Sequence, residues 1–408
     1  MNNYSEISSF NESSKVERSP KFRFSSKILM GKVKIFILII FTFLPLIQPL
    51  AQIKIKAVGD IMLGSVTPQR VIPGQGGREF AESIKQYLKN ADVIFGNLEG
   101  TFIDDSLKPQ KCSDGARKKK ICYEFGMPDS LVISLIEMGF TVLNLDNNHS
   151  EDYGIKGYNH TIKLLSNSGI AYAPKRGFAS LKYEDKKIAV AAFGYSGNSN
   201  SVSDLENDSI IIKNLKRLFD IVIVSFHGGA EGKTEFKVPK EKEKFLGEDR
   251  GDVFAFAHAV IDAGADLVIG HGPHVLRGLE LYKNKLIAYS LGNFLTYGNV
   301  NISGLSGISI ILNVTLNNEN GNFLRGKLIS TVQIGRGIPA HDDLNRGANF
   351  IKNYSATDFP NSKIFFSPNF SIYPTNLTEV KYKLVEIISS EVNIPDINPV
   401  SVKSLGIY

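Results

Sequence analysis

From Gln52 to about Leu295 the sequence alternates short apolar runs, rich in β-branched residues, with longer segments of helical periodicity. The apolar runs include IKIKAV, DVIFGN, TVLNLD, DIVIVSF and DLVIG, and segments such as REFAESIKQYLKN and DVFAFAHAVIDAG lie between them. Strands that alternate with helices are typical of α/β proteins, in which helices connect parallel strands. The sequence therefore predicts an α/β fold.

Two longer apolar runs follow this region, GISIILNVTL and FLRGKLISTVQI, and the turn sequence Asn-Asn-Glu-Asn-Gly separates them. We predict a β-hairpin here that closes a sheet edge or a second sheet. Residues 52–340 are then predicted to form the main domain. Residues 341–408 have a weaker pattern and are rich in Asn, Ser, Pro and Phe, so we expect a loosely packed C-terminal extension.

Residues 1–51 have the features of an export signal. Three lysines within residues 27–34 precede an apolar run from Ile35 to Ala51, which two prolines interrupt. This run is shorter than the ~20 apolar residues of a membrane-spanning helix, which favours a signal peptide cleaved near Ala51 over a permanent anchor. Translation is predicted to start at Met30, and the protein is predicted to be exported to the cell envelope or anchored to the membrane.

The charge distribution argues against nucleic-acid binding. The net charge is +6, but residues 1–50 contain seven Lys or Arg against three Asp or Glu, so +4 of it lies there and +2 remains. A nucleic-acid-binding domain would need a basic stripe on its folded part. The dense basic run from Arg117 to Lys120 is better interpreted as a solvated loop.

The chain contains two cysteines, Cys112 and Cys122. In an oxidising compartment they can form a disulfide around the basic loop SDGARKKKI, whereas in a reducing one they would stay free thiols. Two cysteines without a CxxC motif do not favour a cysteine metal site. Because export is predicted, we predict the disulfide.

Polar side chains follow successive predicted strands. The residues in these positions are Asp60, Asn97 with Glu99, Asn148 with His149, His227, and His271 with His274. Ligands of open α/β sheets bind beyond the carboxyl ends of the strands, so these side chains are expected to converge. Carboxylate, imidazole and amide groups together suit Mn, Fe or Zn.

Each of these residues also has a structural interpretation when taken alone. Asp60 could satisfy a turn, Glu99 could cap the next segment, and His227 could be a hydrogen-bonded core histidine. The segment GHGPHVLRG is the most specific, because two histidines between glycines directly after a buried strand have little structural purpose. If the structural interpretation held for every residue, polar side chains would have to follow all of these strands by chance.

The motifs GDIMLG, NLEG, NNHSEDYG, SFHGGAE, GADLVIGHGPHVLRGLE and YSLGNF resemble the CapA family of capsule-biosynthesis proteins, also called poly-γ-glutamate synthesis proteins. The resemblance extends over roughly Ile53 to Phe294. That family is similar to the calcineurin-like metallophosphatases, whose fold is two sheets flanked by helices with a dinuclear metal centre at the strand ends. The resemblance therefore implies a two-sheet α/β/β/α sandwich.

The resemblance also implies roles for individual residues. Asp60 matches the first metal-ligand aspartate, Glu99 the bridging carboxylate and Asn148 the amide ligand. The later histidine ligands correspond to His227, His271 and His274, and His149 corresponds to the catalytic histidine. The metallophosphatases have a histidine two residues after the first aspartate, where this sequence has Met62. We therefore expect divalent ions at two sites of unequal affinity.

Two further residues near these motifs have candidate roles. Asp152 could orient His149 by accepting its hydrogen bond, or it could cap the helix that follows. Arg277 could bind an anionic group in bidentate fashion, or it could be a salt-bridge partner at the surface.

The resemblance implies an exported, metal-dependent protein of capsule polymer synthesis that hydrolyses or transfers an ester or amide. Its substrate would be a phosphoester or an acidic capsule polymer, and other membrane proteins of capsule synthesis would be partners. The alternative is a non-catalytic protein that binds or anchors the acidic polymer. The sequence leaves open whether the protein is an enzyme.

Overall fold

The computed structural model describes residues 52–119, 122–298 and 300–375, so the predicted signal peptide lies outside the described residues. The strands are, in chain order, β1 (Gln52–Met62), β2 (Val93–Leu98), β3 (Thr101–Ile103), β4 (Gly126–Pro128), β5 (Val142–Asn144), β6 (Ala171–Ala173), β7 (Phe178–Tyr183), β8 (Lys186–Phe193), β9 (Ile221–His227), β10 (Glu243–Phe245), β11 (Glu248–Gly251), β12 (Leu267–His271), β13 (Leu279–Tyr282), β14 (Lys285–Ala288), β15 (Asn293–Thr296), β16 (Ile308–Asn317), β17 (Phe323–Ile334), β18 (Ile338–His341), β19 (Ile364–Phe366) and β20 (Ser371–Pro374). The α-helices are α1 (Arg78–Leu88), α2 (Asp114–Lys118), α3 (Val132–Met138), α4 (Gly154–Asn167), α5 (Leu205–Leu218), α6 (Val253–Ala263) and α7 (Arg346–Asp358).

Most strands belong to two large sheets. The first has the order β19-β20-β17-β16-β1-β2-β5-β6, with β15 beside β1 and β18 beside β17. The second has the order β13-β14-β12-β9-β8-β7. Neighbours β1, β2, β5 and β6 are parallel, as are β8, β9, β12 and β14. The predicted hairpin is confirmed, because β16 and β17 pair in antiparallel fashion along their length.

Apolar side chains form three layers of core. The central layer lies between the sheets and combines residues of the first sheet, such as Ile55 and Phe95, with residues of the second, such as Ile223 and Ile269. A second cluster joins the other face of the first sheet to α1, α3 and α4, and a third joins the second sheet to α5 and α6. The predicted α/β/β/α sandwich is therefore confirmed, since each sheet is covered by the other sheet on one face and by helices on the other.

The described part of the C-terminal segment is not the loosely packed extension that we expected. Ala348 and Ile351 of α7 are fully buried in the central core, and Ile372 of β20 pairs with Gly326 of β17. Residues 342–375 therefore belong to the main domain. The expectation failed because α7 buries mainly small residues and a single isoleucine, which leaves a weak hydrophobic pattern. Residues 376–408 lie outside the described residues.

No helix within the described ranges combines the length and apolar character needed to cross a membrane.

The predicted disulfide is present between Cys112 and Cys122, which are separated by ten positions in the chain. A cross-link of this span is expected to stabilise the fold by about 2–3 kcal/mol in the chain-entropy model. We expect the double variant Cys112→Ser/Cys122→Ser to lose that amount of unfolding free energy, measured by urea denaturation. Dithiothreitol should destabilise the wild type by the same amount and leave the variant unchanged. Equal stability of both proteins without reductant would contradict the expectation.

Asp208 of α5 is fully buried, and neither of its carboxylate oxygens has a hydrogen-bond partner among the described residues. Burial, with a smaller effect of Asp204, raises the pKa of Asp208 from 3.8 to about 8. Between pH 3.8 and about pH 8, the Asp208 carboxyl is protonated in the folded protein and ionised in the unfolded chain. The free energy of unfolding therefore decreases as the pH rises towards 8. Each pKa unit corresponds to about 1.4 kcal/mol.

We expect Asp208→Asn to remove this pH dependence and to raise the unfolding free energy at pH 8 relative to the wild type. Denaturation curves at pH 5 and pH 8 measure the effect. Glu206→Gln, at an exposed position of the same helix, serves as the matched control. The expectation is wrong if both variants show the pH profile of the wild type.

Candidate metal centre

The carboxyl ends of parallel strands from both sheets bring the predicted ligands together. Asp60 lies near the end of β1 and pairs in register with Asn97 of β2, and Glu99 follows directly after β2. His227 ends β9 and lies opposite His271, which ends β12. Because the two sheets pack face to face, these ends form one polar cluster. All of the named side chains are buried.

The backbone around Asp60 is shaped by a close approach of two strands. The register of β1 against β2 and β15 shifts next to Asp60, and such irregularities re-aim side chains near functional sites. The Asp60 amide donates to the carbonyl oxygen of Gly292 at 2.9 Å. A Cβ atom at Gly59 would lie 1.8 Å from that same oxygen, so the Gly-Asp pair of the GDIMLG motif is required by packing as well as by chemistry.

The Asp60 carboxylate contacts both histidines of the GHGPH segment. Its Oδ2 lies 3.0 Å from His274 Nδ1, and its Oδ1 lies 3.2 Å from His271 Nδ1, without acceptable hydrogen-bond geometry in the second case. Asn97 Nδ2 donates to Oδ1 at 2.8 Å. His274 has a left-handed φ of 60°, a conformation that is costly outside glycine and that often marks functional sites.

Several buried ligand atoms of this cluster lack a hydrogen-bond partner among the described residues. They are Glu99 Oε1, His227 Nε2 and both ring nitrogens of His271. Asn148 Oδ1 is also buried and without a partner in the described part of the chain, but Asn148 lines a neighbouring cavity together with Lys111 and Glu151. His227 Nε2 and Glu99 Oε1 face each other at 4.0 Å. Buried polar atoms without partners are rare and costly, so a cluster of them requires a group that the protein does not supply.

A divalent cation fits this requirement. Asp60, Glu99 and His274 each offer an oxygen or nitrogen atom, and these atoms lie within 4.8 Å of one another. His227 and His271 add unpartnered nitrogen atoms of a type that Mn, Fe and Zn bind. The residues therefore fit the predicted metal, while its identity and the number of ions stay predictions.

The electrostatics of the cluster are dominated by burial and by close charges. Burial raises the pKa of Glu99 to about 8 and lowers the pKa of His227 well below its usual value. Burial alone would also raise the pKa of Asp60, but the nearby imidazoles of His271 and His274 bring it below its usual range. Burial would lower the pKa of His274, but Glu99 and Asp60 raise it well above 6.5. A metal ion would compete with that proton, since ligand binding to a metal releases protons.

His149 is placed beside the cluster rather than in it. Its Nδ1 donates to Asp152 Oδ2 at 2.7 Å, and Asp152 is fully buried. The same oxygen accepts from the Phe125 amide at 2.7 Å, and the Phe125 ring lies 4.5 Å from the imidazole. Because a carboxylate only accepts, this pair fixes the proton on Nδ1 and leaves Nε2 available. The geometry agrees with the orienting role predicted for Asp152.

Lys111 is a neighbour of His149 that the sequence did not indicate. Its Nζ donates to the Asn148 carbonyl oxygen at 2.8 Å and lies 3.1 Å from Asp152 Oδ1 and 3.5 Å from His149 Nδ1. Burial lowers the pKa of His149, and the positive charge of Lys111 acts in the same direction against the attraction of Asp152. The neutral form of His149 is therefore favoured.

A cavity of about 370 Å³ opens onto the cluster. Among the residues that line it are Met62, Glu99, His149, Glu231 and His274. Met62 thus occupies the wall of the site, where the metallophosphatases were expected to have a histidine. Its soft thioether is a poor ligand for an ion such as Mn²⁺, which prefers oxygen and nitrogen donors.

The prediction that Arg277 binds an anionic ligand is not supported, because its guanidinium group already forms a buried ion pair. Arg277 is fully buried, and its Nη1 and Nη2 donate to the two carboxylate oxygens of Glu243 at 2.9 and 2.6 Å. Its Nε donates to the Glu235 carbonyl oxygen at 2.8 Å. The guanidinium donors are therefore used in hydrogen bonds within the protein and do not face a ligand.

Two asparagines of the site were not among the predicted ligands. Asn97 connects Asp60 to the next strands, since its Oδ1 accepts from Asn144 and Asn147 at 2.9 and 3.0 Å. Asn293 Oδ1 lies 3.0 Å from His274 Nδ1. Both lie in recognised motifs, NLEG and YSLGNF, close to the end of a strand. This position is the feature of the sequence that could have identified them as residues of the site.

Comparisons with known proteins agree with these motifs. The family model for "Bacterial capsule synthesis protein PGA_cap" matches residues 54–297. Capsule biosynthesis protein CapA of Bacillus anthracis is 30% identical over 264 residues, which is 60% of this chain and 59% of that protein. PGA biosynthesis protein CapA of Bacillus subtilis (strain 168) is 31% identical over 255 residues, 58% of this chain and 61% of that protein. The chain thus spans about three fifths of the length of these curated relatives.

A solved phosphatase from Mycoplasma pneumoniae is similar to 74% of this chain and 97% of its own, at 13% identity and a TM-score of 0.44. A similarity of that extent carries no argument about activity. The match of the family model covers more than half of the chain and includes every predicted ligand. The chain therefore belongs to the bacterial capsule synthesis protein PGA_cap family.

Proposed function

We propose that this protein is exported and takes part in the synthesis of a poly-γ-glutamate-type capsule, where it hydrolyses or transfers an ester or amide at a divalent metal site. The reaction would act on a phosphoester or on the acidic polymer itself. The observation that carries this proposal is the group of buried, unpartnered ligand atoms next to an oriented His149–Asp152 pair.

The protein groups have distinct roles in this proposal. Asp60, Glu99, Asn148, His227, His271 and His274 would hold the metal. When bound, a divalent ion supplies Lewis acidity that activates water and polarises a substrate oxygen. His149 would accept a proton at Nε2 and could then return it to a leaving group, because Asp152 keeps the proton of Nδ1 in place. Phe125 packs on the imidazole and limits its rotation.

Export is supported by the sequence of residues 27–51, in which lysines precede an apolar run. The disulfide between Cys112 and Cys122 is consistent with an oxidising compartment. The acidic capsule polymer and other membrane proteins of its synthesis are the proposed partners.

The test uses the full-length protein purified after growth with Mn²⁺, Fe²⁺ and Zn²⁺. Its metal content is measured, and it is then incubated with poly-γ-glutamate and with p-nitrophenyl phosphate esters. Metal-dependent turnover of either substrate, lost in His149→Ala, supports the proposal. Bound metal and retained polymer without turnover would favour the alternative, non-catalytic polymer-binding function. A protein that binds no metal under any of these conditions contradicts the proposal.

A further inference from the structure

Glu231 is a carboxylate of the site cavity to which neither the motifs nor the comparisons assign a role. It follows β9 in the segment HGGAE and lines the same cavity as Met62, Glu99, His149 and His274. We propose that Glu231 is an additional metal ligand, which serves the sub-site that Met62 leaves without an imidazole. This inference rests on the proposed function in one respect, that the cluster binds a divalent ion.

The first argument is the position of Glu231 relative to His274. Glu231 Oε2 lies 3.8 Å from His274 Nε2, and Glu99 Oε1 lies 3.7 Å from the same nitrogen. Two carboxylates therefore flank one imidazole at similar distances. A divalent cation bound beside this imidazole would be attracted by both carboxylates.

The second argument is that one oxygen of Glu231 is held while the other faces the site. Glu231 Oε1 accepts from Arg250 Nη1 at 2.6 Å. Arg250 is only 3% exposed, and its guanidinium lies 3.9 Å from the centre of the Tyr195 ring. Carboxylates that ligate metals are commonly held in this way by a hydrogen bond to a second group, which fixes their orientation. Arg250 is thus a positioning residue for Glu231.

The third argument is the chemistry of the cavity wall. Met62 is buried and neutral, and its thioether does not replace an imidazole for an ion such as Mn²⁺. Glu231 has a side-chain exposure of 16%, so a hydrated ion entering the cavity can reach it. A carboxylate from a different strand end would then supply the missing ligand without any change at position 62.

The experiment compares metal binding in the full-length wild type, Glu231→Gln and Glu248→Gln. Glu248 is a matched control because it also pairs with Arg250, at 2.9 Å from Nη2, but it is 58% exposed and does not line the cavity. Metal-free protein is titrated with Mn²⁺ and with Zn²⁺ by calorimetry, and bound metal is counted after dialysis. Circular dichroism and thermal unfolding verify that each variant is folded.

We expect Glu231→Gln to weaken one class of sites by about 10- to 100-fold, while Glu248→Gln binds as the wild type does. Adding Met62→His to Glu231→Gln should restore the lost binding, because an imidazole then occupies the same cavity. Unchanged affinity and stoichiometry in a folded Glu231→Gln protein overturns the role of Glu231 and leaves the proposed function intact. Absence of metal from the wild type overturns both.

Discussion

Asp60→Asn should weaken divalent metal binding, lowering metal affinity by about 100-fold or more. The carboxylate of Asp60 faces His271 and His274 at 3.2 and 3.0 Å, and Asn97 holds one of its oxygens. Asparagine has nearly the same volume and keeps one acceptor oxygen, but it loses the negative charge that attracts the cation. Metal content after dialysis and calorimetric titration with Mn²⁺ and Zn²⁺ measure the loss.

The exposed residue Asp104 provides the control, because Asp104→Asn removes the same charge at a position that does not line the cavity. His271→Ala should release the tighter-bound ion. Met62→His should instead increase the total metal content, since it adds a ligand to the weaker sub-site. The metal assignment is wrong if Asp60→Asn retains as much metal as the wild type.

The sequence predicted the fold well because its informative features are local. The parallel strands at the centre of the sheets are mostly apolar runs, such as DIVIVSF, and several of them end in or are followed by a polar residue whose position the strand register then determines. His227 and His271 were predicted to converge with the other strand-end residues for this reason, and they lie opposite each other in β9 and β12. Because ligands of open α/β sheets bind beyond the carboxyl ends of the strands, residues that follow separate strands in the sequence can be predicted to lie in one site.

The failures concern contacts between segments that are distant in sequence. Whether the guanidinium of Arg277 is free depends on Glu243, which lies 34 positions earlier in a separate small sheet. Lys111 reaches His149 because the backbone of residues 110 and 111 donates to the Asp152 carbonyl oxygen. Neither pairing has a local signature. The packing of α7 was missed because its buried residues are mostly small.

His149→Ala should leave metal binding unchanged and reduce turnover by about 10² to 10⁴-fold on any substrate that the wild type hydrolyses. The imidazole makes no contact with Asp60 or Glu99, but it lines the same cavity and has its Nδ1 proton fixed by Asp152. Its loss would therefore remove proton transfer and not ligation. The kinetic measurement is kcat at saturating substrate, made on protein of known metal content.

The matched control is His160→Ala, because His160 also pairs with a carboxylate, at 2.8 Å from Asp129, but lies on α4 outside the cavity. Asp152→Asn tests the orienting role separately. An amide at position 152 can still accept from the Phe125 amide, but it carries no charge to hold the His149 imidazole, so kcat should fall by an intermediate factor. Loss of metal from His149→Ala would instead show that this histidine is a ligand, and full activity of that variant would remove it from the chemistry.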